Sequence, residues 1–73
     1  MHARLQFTIP YSEKRDIFES IRTIAPYDKA IVATTNSPLH DDKILLIVLT
    51  SDPDIEFILR LKYAGCETHI TRF

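Results

Sequence analysis

The chain has 73 residues, 45% hydrophobic and 26% charged, with a net charge of −1. These values exclude a disordered chain and a strongly basic binder of nucleic-acid backbones. A single cysteine, Cys66, excludes an internal disulfide and a thiolate metal cluster, which leaves good packing or self-association to hold so small a domain.

Residues 1–73 read as one domain with no linker. The start, Met1-His2-Ala3-Arg4, lacks an apolar signal core, and no stretch approaches the roughly 18 apolar residues of a membrane span. The expected setting is cytoplasmic.

Leu5, Phe7 and Ile9 alternate with Arg4, Gln6 and Thr8, the period-two pattern of a half-buried strand, and Pro10 ends it. Ser12 suits the N-cap of the helix that follows, with Glu13 adding negative charge to its first turn. Ile17, Phe18, Ile21, Ile24 and Ala25 fall on one side of that helix, and Pro26 stops it. Ala30–Thr35 has the β-branched composition of a second strand, and the polar stretch 36–42 is a connection built of turn formers. The unbroken aliphatic run Ile44–Leu49, extended by Thr50, is a third strand. Asp52 and Pro53 fit the N-cap and first position of a second helix, expected to run to about Ala64. Gly65 stands where a left-handed residue would end that helix, and Cys66–Phe73 has strand composition.

The order β-α-β-β-α-β predicts an α+β, ferredoxin-like domain. Its four-stranded antiparallel sheet has the order 4-1-3-2, with both helices on one face. The first and third strands are expected in the centre, parallel to each other. The open face then divides into a polar half with His2, Arg4, Gln6 and Thr8, and an aliphatic half. The third strand presents either Ile44, Leu46 and Val48 or Leu45, Ile47 and Leu49 there. A strand apolar on both faces implies cover for both, and exposed aliphatic patches mark interaction sites. On the second helix Ile55, Phe57, Ile58, Leu59, Leu61 and Ala64 cover well over half the wheel, beside a Glu56/Arg60 polar edge. The surplus flank is expected to pack on the first helix.

Chemistry is sparse. His40-Asp41-Asp42 supplies metal-ligand types, but adjacent loop residues rarely converge on one ion. Cys66 and His69 differ by an odd spacing and so face opposite ways on one strand. His2 and His69 are expected to approach across the open face, with Arg4 nearby. Asp52, Asp54 and Glu56 are explained by the dipole of the second helix. Tyr11, Tyr27 and Tyr63 lie at element ends, as rim residues.

Motifs that this plan carries elsewhere are missing. Single-stranded RNA readout needs aromatics on the open face of the central strands, but Phe7 is in phase with the core. The Pro10-Tyr11-Ser12 junction holds neither the cysteine pair of a metal chaperone nor the Gly-containing loop of an acylphosphatase-like enzyme. No nucleophile, base and orienting group can be assembled from neighbours, so no enzyme is expected.

The reading that results is a non-catalytic interaction module, a small regulator or inhibitor. It would dock on a protein partner or form a homodimer through the open face, with Ile44, Leu46, Val48, His2, Arg4, Gln6 and His69 as interface residues. No cofactor or metal is expected. The alternative is a nucleic-acid-binding domain with a local basic face of Arg4, Arg60, Lys62 and Arg72.

Overall fold

A computed structural model describes residues 2–26, 28–37 and 41–73. The elements are β1 (Ala3–Pro10), a 3-10 turn (Tyr11–Glu13), α1 (Lys14–Ile24), β2 (Ala30–Asn36), β3 (Lys43–Thr50), α2 (Pro53–Lys62) and β4 (Glu67–Arg72). The strands lie in the row β2-β3-β1-β4, which counted from the β4 edge reads 4-1-3-2, and all three pairings are antiparallel. β1 and β3 are thus the central pair, and the expectation that they run parallel is corrected. In the register Leu5 faces Val48, Phe7 faces Leu46 and Ile9 faces Ile44.

That register decides which face of β3 is buried. The alternation of β1 commits Leu5, Phe7 and Ile9 to the core, where all are fully buried. Residues directly opposite in an antiparallel pair share a face. Ile44, Leu46 and Val48 are therefore carried into the same core, together with Ala30 and Val32 of β2. Ile21 of α1 and Ile55 and Leu59 of α2 close over them, so both helices cover one face. Thr50 shares the inward phase and is buried, and its hydroxyl is satisfied twice. It donates to the Lys29 carbonyl at 3.0 Å and accepts from the Asp52 N–H at 3.1 Å.

The helix ends differ in how they are made. At α2 the Asp52 carboxylate accepts from the Asp54 N–H at 2.9 Å and Pro53 occupies the first turn. At α1 Ser12 is not the cap. It lies inside the 3-10 turn, and the N-cap position belongs to Glu13, which makes no side-chain cap bond. Pro10 sets this entry, because its fixed φ lets the strand tighten directly into the turn. α1 ends at Ile24, before Pro26. α2 ends at Lys62, and Gly65 does not have positive φ, so the chain leaves the helix without a left-handed residue. Cys66 lies before β4, half-buried against the core, rather than within the strand.

One carboxylate ties the last strand to the helix layer. Glu56 on α2 accepts a bidentate pair of bonds from the Arg72 guanidinium of β4, one of them at 2.9 Å, and Arg60 lies 4.0 Å from the same carboxylate. The Glu56 side chain is 12% exposed. The Arg72 hydrogen bonds hold its pKa below the ordinary carboxylate value of 4.5, against the opposing effect of burial, and the charges of Arg72 and Arg60 add to the lowering. A carboxyl whose folded pKa is depressed stabilises the fold fully above its unfolded value and loses that contribution as pH falls through the folded value. Wild-type stability should therefore decline below pH 4.5 more steeply than that of Glu56→Gln. Denaturant unfolding at a series of pH values checks this, and equal slopes for the two proteins would assign Glu56 no such role.

Candidate interaction surface

The open face is a grid of three rows across four strands. The registers place Ile31, Leu49, Arg4 and Thr71 in one row, Ala33, Ile47, Gln6 and His69 in the next, and Thr35, Leu45, Thr8 and Glu67 in the last. Within these rows the β2–β3 half is aliphatic and the β1–β4 half polar, and beyond them His2 and exposed Phe73 extend the β1–β4 half. Leu45, Ile47 and Leu49 are half-buried between neighbouring strands, and Ile31 at the edge is 65% exposed.

Of the expected interface residues, His2, Arg4, Gln6 and His69 occupy or border this face. Ile44, Leu46 and Val48 do not. They are at most 2% exposed beneath the helices, because pairing with the inward side chains of β1 fixes their phase. The aliphatic contribution of β3 comes from Leu45, Ile47 and Leu49.

His2 and His69 do not meet. His2 continues the β1–β4 ladder opposite Phe73, with paired backbone bonds of 2.8 and 2.9 Å and ring centroids 6.1 Å apart. His69 stands opposite Gln6, and its Nε2 lies 3.6 Å from Glu67. Residues 2 and 6 are roughly 13 Å apart along a strand.

His40 and Tyr27 lie outside the described residues. Asp42 contributes a backbone carbonyl that accepts from the Tyr11 N–H at 2.8 Å. Among the described residues no cluster of His, Cys, Asp or Glu is arranged to hold a metal ion, and no helix is long and apolar enough to cross a membrane. Tyr11 is exposed, but Tyr63 is not a rim residue: it is 9% exposed, with its ring 5.5 Å from that of Phe7.

The proposed basic face is not assembled. Arg4 lies on the open face, whereas Arg72 reaches the helix layer to bind Glu56. Arg60 shares that carboxylate, and the Lys62 ammonium donates to the Ser20 hydroxyl on α1.

A second apolar surface lies on α2. Phe57 and Leu61 are 63% and 65% exposed, and Ile58 beside them is 44% exposed. At 100° per residue Phe57 and Leu61 point away from buried Ile55 and Leu59. The flank expected to pack on α1 is thus turned outward, because the sheet requires only a narrow stripe of this helix.

Comparison with family models, with curated proteins and with solved structures gives no match.

Proposed function

We propose that this is a ferredoxin-like, non-catalytic interaction module, acting as a small regulator or inhibitor that docks on a protein through its open sheet face. The observation that carries this reading is the joined patch of Ile31, Leu45, Ile47 and Leu49, which no helix of the described chain covers. Burying each large aliphatic side chain is worth roughly 1.5–3 kcal/mol when its surface is fully withdrawn from water. The polar half supplies hydrogen-bonding groups for register, as the rim of an interface does. The separation of Arg4 from Arg60, Lys62 and Arg72 removes support from the nucleic-acid alternative.

Placing a photo-crosslinking amino acid at position 47, and for comparison at exposed Glu19 on α1, tests the reading in cells of the source organism. A discrete adduct from position 47 and none from position 19 is expected. No adduct from either position, or the same adducts from both, would remove the open face as a docking surface.

A further inference from the structure

The geometry points to a second copy of this chain as the occupant of the open face, paired sheet to sheet about a two-fold axis that runs across the strands through the Ile47 row. This inference rests on the docking reading and names its partner. Two identical faces can meet only about an axis lying in the plane between them. An axis along the strands through the centre of the sheet would lay the aliphatic half of one copy on the polar half of the other, with Leu49 against the partner's Arg4. An axis across the strands keeps each column on its own kind. Ile47 then faces the partner's Ile47, Leu49 the partner's Leu45, and Gln6 the partner's Gln6.

Charge complementarity selects the same arrangement. Arg4 and Glu67 lie in opposite end rows of the polar half, Arg4 level with Thr71 and Thr8 level with Glu67. Four residues of strand, roughly 13 Å, separate these rows within one chain. Among the described residues Arg4 makes no salt bridge, and the Glu67 side chain, 62% exposed, has His69 as its one ion-pair neighbour. Rotation about the axis across the strands exchanges the end rows. Arg4 is thereby brought diagonally across from the partner's Glu67, one strand spacing to the side, and symmetry makes this contact twice. Four strands at about 4.8 Å and three rows at about 6.7 Å give a face of roughly 400 Å² in projection. A face of this size is small beside the patches of standard interfaces, so the pair is expected to associate weakly.

Sedimentation equilibrium from about 10 µM to about 1 mM tests the inference, since weak pairs dissociate at micromolar concentration. The wild type should shift from monomer to dimer within this range. Arg4→Glu and Glu67→Arg should each weaken the dimer about tenfold, because each reversal acts at both symmetric contacts. The double variant should recover most of the loss. Ile31→Glu, on the edge strand, serves as a further probe and should also weaken the dimer. A monomer at every concentration overturns the second copy as occupant. A dimer without recovery in the double variant overturns the axis. Neither result decides the docking reading: a position-47 adduct at a mass other than twice the monomer would keep that reading and reject self-pairing.

Discussion

Leu46→Asp should remove about 5 kcal/mol or more of the chain's stability at 25 °C, whereas its neighbour Ile47→Asp should fold normally and lose association. The two positions are adjacent in an aliphatic run and differ only in the face they occupy. Leu46 is fully buried in the apolar core with Leu5, Phe7, Val48 and the helix residues. Introducing one there costs upwards of ~5 kcal/mol, whether it stays charged or is forced to take a proton. At 0.05–0.15 kcal/mol per residue a domain of this length has about 4–11 kcal/mol in all. At position 47 the carboxylate meets water, while in a face-to-face pair it would meet its own copy. Far-UV circular dichroism and sedimentation separate the outcomes, and the reverse result would mean that β3 is turned over.

Phe7→Ala should lower stability by about 3–5 kcal/mol and the thermal midpoint by about 15 °C or more. Phe7 is the largest fully buried side chain, and it packs on Tyr63 at the end of α2. Its removal opens a cavity between the central strand and the helix, and fixed backbones on both sides limit collapse into it. Thermal unfolding followed by circular dichroism measures the shift. A change of only a few degrees would place the ring on the open face, and would restore the aromatic platform on which single-stranded RNA readout depends.

These two residues show what can be read from the sequence and what cannot. β1 carries its own phase, since Leu5, Phe7 and Ile9 alternate with polar neighbours, whereas in β2 the sets Ala30/Val32/Thr34 and Ile31/Ala33 read alike and pairing with β3 turns the first of them inward. The elements and their order follow from such patterns, and Asp52-Pro53 marks the start of α2. The run Ile44–Leu49 carries no such mark, because both of its faces are aliphatic and a one-residue change of phase leaves the composition of each unchanged. Its phase is imposed by pairing with β1, which is a long-range fact. Thr50 shares the phase of Leu46 and Val48 and, being polar, points the wrong way locally; its hydroxyl is instead satisfied inside, by the Lys29 carbonyl and the start of α2. The helix surplus was misplaced for a related reason. A wheel shows how many apolar residues α2 has, but not how narrow a stripe the sheet needs, and Phe57 and Leu61 stand exposed. Residue preference alone points to Gly65 and Ser12 as helix ends, whereas the backbone leaves α2 without positive φ and enters α1 through a 3-10 turn.

The greasy ridge of Phe57 and Leu61 stands on the far side of the molecule from the bare strands, and this bears on how large an assembly can grow. A sheet seated on a neighbour's ridge would join unlike surfaces, and contacts of that kind string chains into filaments unless the rotation happens to close a ring. Sheet-on-sheet pairing stops at two. Such a pair leaves its two ridges pointing in opposite directions, like the identical ends of a double-headed clip.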